Sequence, residues 1–142
     1  MSGTAHDAAD QKSGSRLGFK PDQVVQELGW DVDVDDSLRT SIEDVVGSPM
    51  VGGEHGEVVD AVVLWWRDGD GDLVDALVDA ITDLAEGGAI YLLTPKVGRD
   101  GHVDPSDIAE AAPVAGLSTT TTQSGGPDWS ATRLVTPKSS RR

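Results

Sequence analysis

The 142-residue sequence contains no cysteine, which removes disulfides, thiolate nucleophiles, zinc–cysteine sites and iron–sulfur clusters from its repertoire. Positive charge is also scarce. Eleven Lys and Arg stand against 25 Asp and Glu, for a formal net charge of −14 and a pI near 4.3. The acids run from Asp7 to Asp128 rather than forming a tail. Their field repels phosphate backbones and anionic lipid, which argues against nucleic acid and membrane surfaces as partners and for a protein with a basic surface. Charge of this size serves solubility as well. Long apolar runs are missing too. No segment approaches the ~20 apolar residues of a membrane helix, and Met1 to Arg16 holds no signal-peptide stretch, so a cytoplasmic protein is expected.

What is present is enough for one core: 37% of the residues are hydrophobic, in a chain whose length suits one domain. Residues 1–15 and 138–142 are small and polar without apolar period, and are expected to be disordered tails around a single domain at 16–137. Within it, Ala61 to Trp66 is an unbroken apolar run, β-branched and aromatic, that predicts a strand buried on both faces, with Trp65 and Trp66 pointing to opposite sides. A turn follows at Arg67 to Asp72. Leu73, Val74, Leu77, Val78, Ile81 and Leu84 then keep helical spacing, with Asp70 or Asp72 as the N-cap and Glu86-Gly87-Gly88 as the stop. Ala89 to Thr94 predicts a second buried strand. Strand, helix and strand with short joints make a βαβ unit with parallel pairing.

Asp104-Pro105 opens a short helix that Pro113 and Gly116 end. Leu117–Ser124 and Trp129–Thr136 predict an antiparallel hairpin across Gly125 to Asp128. Asp36 or Ser37 is expected to cap a helix running to about Val46, with 48–59 a loop holding at most one short strand. The fold class expected is α/β: a small three-layer, mostly parallel sheet with a C-terminal antiparallel hairpin, a shortened Rossmann-like frame.

The order strand, helix, strand, helix, hairpin resembles the second half of a Rossmann-like methyltransferase domain, with Val24 to Gly29 standing for its opening strand. More closely, Leu17-Gly18-Phe19-Lys20-Pro21, Asp60 to Arg67, Thr94-Pro95-Lys96 and Trp129-Ser130 resemble the uncharacterised bacterial family called domain of unknown function 3052, over roughly residues 16–137. That resemblance implies the fold and no activity. A methyltransferase needs a glycine-rich turn after its first strand so that the backbone can approach the cofactor. In Glu27-Leu28-Gly29-Trp30-Asp31-Val32-Asp33, Gly29 holds the first glycine position, but Asp31 and Asp33 occupy the next two. The family's second and third strands, which grip ribose and adenine, have too little chain between Val46 and Asp60. No cofactor is expected.

Individual motifs carry little chemistry. Asp68-Gly69-Asp70-Gly71-Asp72 suggests calcium, but Leu73 and Asp79 stand where a turn glycine and a bidentate Glu belong, so a turn and helix cap is the expectation. Asp31, Asp33, Asp35 and Asp36 show no ligand spacing. His6, His55 and His102 fall in a tail, a loop and a turn and are expected to be exposed, and Ser130 has no nucleophile elbow. No catalytic and no metal-binding residue is assigned.

Ligands of open parallel sheets gather beyond the carboxyl ends of the strands. Those ends supply Trp30, Arg67, Thr94 and Lys96 as the candidate ligand-binding set, with Arg67 and Lys96 either holding an anion or pairing with nearby aspartates. The function expected is a non-catalytic binding or regulatory module on a degenerate Rossmann-like frame. The alternative is an enzyme or sensor for a small anionic ligand, with methyl transfer its least favoured form.

Overall fold

The computed structural model of the chain describes residues 14–137. Five strands, β1 (Val25–Leu28), β2 (Val59–Trp65), β3 (Leu84–Pro95), β4 (Ser118–Ser124) and β5 (Trp129–Val135), form one sheet in the order β1-β2-β3-β5-β4. The first three are parallel, and β5 runs antiparallel to both β3 and β4. Three helices lie between the strands: α1 (Asp36–Val46), α2 (Leu73–Ile81) and α3 (Pro105–Val114). Alternation along the strands decides which layer each residue joins. Ala61, Val63 and Trp65 of β2 pack with Leu38, Ile42 and Val46 of α1, whereas Val62 and Leu64 pack with Leu77 and Ala80 of α2 and with Ile108 and Ala111 of α3. The result is the expected three-layer α/β arrangement. Trp65 is fully buried on the α1 side and Trp66 half-buried on the other.

Local chemistry sets the helix ends. Asp35, not Asp36 or Ser37, caps α1, its Oδ1 accepting from Leu38 N at 2.9 Å. Asp72 caps α2, accepting from Val74 N at 2.8 Å, and Asp104 caps α3 with Pro105 as its first helical residue. The α2 helix stops at Ile81, short of the expected Glu86 to Gly88, because the chain is already in β3 from Leu84. Leu84 pairs with Val59, and after an irregularity the register resumes at Ala61↔Ala89. Leu84, which reads as the last residue of the helical apolar face, is a strand residue packed against the same α2-side core.

Between α1 and β2 there is one isolated bridge, in which Glu27 N donates to Val51 O and Val51 N to Val25 O, both at 2.8 Å. These two hydrogen bonds lie on the outer edge of β1, the first strand of the sheet order. At the opposite edge β4 exposes most of its Ser and Thr side chains. Of the tails expected at 1–15 and 138–142, residues 1–13 and 138–142 lie outside the described residues; Gly14 and Ser15, expected in the tail, instead sit in a helical turn over 14–17, with Gly14 N donating to Ser41 Oγ at 2.7 Å. No helix among the described residues is long and apolar enough to cross a membrane.

Candidate functional site

Parallel β1, β2 and β3 bring Trp30, Arg67, Thr94 and Lys96 to one edge of the sheet, but the structure divides that edge into two unlike halves. At the end of β1 and β2 the Arg67 side chain, 14% exposed, is consumed by internal contacts. Its Nε donates to Asp33 Oδ2 at 3.0 Å and its Nη2 to Asp33 Oδ1, while Nη1 donates to the carbonyls of Gly29 (2.8 Å) and Trp65 (3.3 Å). Asp70 lies 3.5 Å from Nη1, and the guanidinium stands 5.3 Å from the Trp129 ring centre. Four of the five guanidinium N–H donors are thereby satisfied, in the fork geometry that distinguishes Arg from Lys. The Arg67 hydrogen bond draws the Asp33 carboxyl below its ordinary range against the opposing effect of burial. Burial pulls Arg67 down, but the hydrogen bond and charge of Asp33 outweigh it and leave the guanidinium raised.

Gly29 holds the ends of β1 and β2 in close contact and also lines the depression described below. Its φ is +77°, a left-handed conformation that favours glycine, and a Cβ there would collide with the carbonyl oxygen of Trp65. The glycine's freedom lets the end of β1 come into contact with the neighbouring strand. Beneath it, Glu27 accepts from Arg39 Nε at 2.6 Å, Arg39 Nη2 at 2.7 Å and Trp65 Nε1 at 2.9 Å. Trp65 meets Trp129 edge to face, ring centres 4.9 Å apart. The hydrogen bonds and charge of Glu27 raise Arg39 above its ordinary value despite burial. A depression of about 370 Å³ remains on the α2 side of this end, with Asp70 and Asp79 in its lining. Trp30, 55% exposed, lines neither this depression nor the cavity at the other half.

At the ends of β3 and β5 the arrangement is open. A cavity of about 480 Å³ lies between α3, the loop before it and the β4–β5 hairpin. Thr94 and Lys96 line it, with Ser130 and Thr132 from β5 and Thr119 and Thr122 from β4. The register Thr94↔Ser130 and Thr122↔Thr132 places these hydroxyls on one side of the sheet. Val97, Val103, Pro105, Ile108 and Ala109 make the apolar wall. The Lys96 ammonium donates to Ser124 Oγ at 2.9 Å and meets no carboxylate among the described residues. Of the two basic residues in the candidate set, Arg67 is thus paired with an aspartate and Lys96 is not.

His102, expected to be exposed in a turn, is instead half-buried and lines the cavity. Its Nδ1–H donates to Pro95 O at 2.9 Å, which in the neutral ring leaves Nε2 as the acceptor nitrogen. The Asp68 to Asp72 segment serves as turn and cap: Asp70 Oδ2 accepts from Arg67 N at 3.0 Å, and Asp72 caps α2.

A family profile matches residues 14–138 and is described as "Protein of unknown function (DUF3052)". The chain belongs to the DUF3052 family. Among its relatives, uncharacterized proteins of Mycobacterium tuberculosis and Mycobacterium bovis are each 54% identical over 134 residues, covering 93% of this chain and 84% of theirs. Solved structures similar to this DUF3052 protein are methyltransferases and a related biosynthetic protein. Magnesium protoporphyrin IX methyltransferase from Synechocystis, solved with bound SAM, matches with a TM-score of 0.57 at 12% identity, covering 94% of this chain and 81% of that one. The CcbJ methyltransferase from Streptomyces caelestis gives 0.56 at 11% identity, covering 90% and 95%. The pyocyanin biosynthetic protein PhzM gives 0.65 at 12%, covering 91% and 54%. The fold of the DUF3052 chain is therefore Rossmann-like and methyltransferase-like. At the strand ends of this frame Gly29 is packed on Trp65, Arg67 is hydrogen-bonded to Asp33 and Gly29, and Asp31 and Asp33 stand in the turn after β1.

Proposed function

We propose that this DUF3052 protein is a non-catalytic binding module on a methyltransferase-like frame whose cofactor crevice is closed by its own side chains. The observation that carries this reading is the Arg67 clamp. An S-adenosylmethionine molecule at the β1 end would have to displace a guanidinium that holds Asp33, Gly29 O and Trp65 O together, and would meet Asp31 and Asp33 where the backbone must be bare. Isothermal calorimetry with S-adenosylmethionine tests it. No saturable heat up to millimolar cofactor is expected, and micromolar binding would overturn the reading.

A second reading, a sensor for a small anionic ligand, is favoured by Thr94 and Lys96, which line a cavity with no carboxylate in its lining although the protein carries 25 acids. A strongly acidic exterior suits a partner with a basic surface.

A further inference from the structure

The cavity beside α3 has a buried threonine in its lining. Thr94 is 3% exposed, and its hydroxyl has no hydrogen-bond partner among the described residues. Leaving such a hydroxyl unpaired costs about 1–3 kcal/mol, a cost that valine, nearly the same shape, would avoid. Its neighbours on the same face of β3, Ile90 and Leu92, are the apolar residues expected there. Thr132, 4% exposed, is scarcely better placed: among the described residues its hydroxyl meets only Thr122 Oγ1, at 3.5 Å. These hydroxyls converge on a cavity of about 480 Å³, within the range that holds small ligands.

We propose that this cavity, between Thr94, Lys96, His102, Ile108, Ser130 and Thr132, binds a small monocarboxylate with an apolar body. The inference rests on the reading of the protein as a binding module and names the ligand class of that module. Charge selects an anion: Lys96 and His102 are the titratable residues of the lining, and no acid is among them. A single ammonium held by the neutral Ser124 hydroxyl suits one negative charge, not the two of a phosphate monoester. Hydroxyls supply the remaining donors to a carboxylate, and His102 Nε2, left as an acceptor by the Pro95 hydrogen bond, takes a hydroxyl or N–H of the ligand. Val97, Val103, Ile108 and Ala109 give its body an apolar wall.

The test is two-dimensional NMR of the full-length ¹⁵N-labelled protein titrated with benzoate, hexanoate, benzyl alcohol and inorganic phosphate. Benzoate or hexanoate should shift the amides of Lys96, His102, Thr122 and Ser130 saturably, with benzyl alcohol and phosphate at least about tenfold weaker, the size expected for one charge-assisted contact. Lys96→Gln should weaken the carboxylate about tenfold, while Lys20→Gln, at the opposite end of the sheet, should not. Thr94→Val should weaken it several-fold without lowering the melting temperature, a combination that a structural role for the hydroxyl would not produce. Equal binding of benzyl alcohol, tighter binding of phosphate, or indifference to Lys96→Gln overturns the proposal. Absence of saturable shifts in the cavity also overturns it but leaves the closed crevice standing, whereas S-adenosylmethionine binding at Gly29 overturns the closed crevice alone.

Discussion

The two halves of the strand-end edge differ in how completely their polar groups are satisfied. At β1 and β2, Arg67 spends four donors on Asp33, Gly29 and Trp65, and Glu27 accepts three hydrogen bonds from Arg39 and Trp65. At β3 and β5, Thr94 has no partner among the described residues and Lys96 has only a serine hydroxyl. A satisfied buried network stabilises the fold and leaves nothing for a ligand, while an unsatisfied one costs stability until something fills it. On the reading proposed above, the half at β1 and β2 serves the fold and the half at β3 and β5 binds.

The sharpest way to break this comparison is Gly29→Ala. The added methyl meets the Trp65 carbonyl and φ is positive, so a loss of about 3 kcal/mol or more is expected, lowering the melting midpoint by roughly 10 °C. Calorimetric melting would show it, and a tolerated alanine would mean that the two strand ends are not held in contact. Arg67→Ala comes next. It strands Asp33 and two carbonyls, and should cost about 2–3 kcal/mol in urea denaturation, moderated by the solvent that reaches Asp33. A cost no larger than that of Lys96→Gln would erase the distinction between the halves.

A smaller effect follows from pH. Because Arg67 holds the Asp33 carboxyl below its ordinary 3.8, the pair's contribution is complete above that value and is lost as acid titrates Asp33 through its lower folded value. With Asp33 43% exposed, the contribution is no more than about 1 kcal/mol. Asp33→Asn should therefore remove this component of the melting-versus-pH curve below pH 3.8, and an unchanged acid limb would detach the pair from stability. The smallest change is expected from Thr94→Val, a gain of up to about 1 kcal/mol, the low end of what an unpaired hydroxyl costs because the cavity it lines is open. A clear loss would show that the Thr94 hydroxyl serves the fold.

Much of the frame was legible in the sequence because its signals are local. The apolar run ending in Trp65, the Asp104-Pro105 start of α3 and the hairpin across Gly125 to Asp128 each rest on neighbouring residues, and β2, α3, β4 and β5 follow them closely. The first residues of β3 did not, because Leu84 continues a helical spacing while its real partner, Val59, is 25 residues away. Site residues divided in the same manner. Thr94 and Lys96 follow from the strand-end rule, and they line the cavity. His102, Ser130, Thr132 and Thr122 required the β3–β5 and β4–β5 registers, although the hydroxyls at Ser130 and Thr132, two apart in a strand, carried the signal of a shared face. The Arg67–Asp33 pair spans 34 residues and becomes visible only when β1 is known to lie beside β2.

The edge-to-face pair of Trp65 and Trp129, with Glu27 on one indole and Arg67 near the other, gives the protein an optical gauge of its own crevice. With one tyrosine in the chain, ultraviolet emission belongs to four indoles in unlike surroundings. Trp30, half exposed, is expected to emit to the red and to be open to collisions with neutral acrylamide; the buried pair is expected to emit to the blue and to be shielded from the quencher. Opening of the β1–β2 end would merge the two populations, so the state of the clamp can be followed in unlabelled protein by the colour of its light.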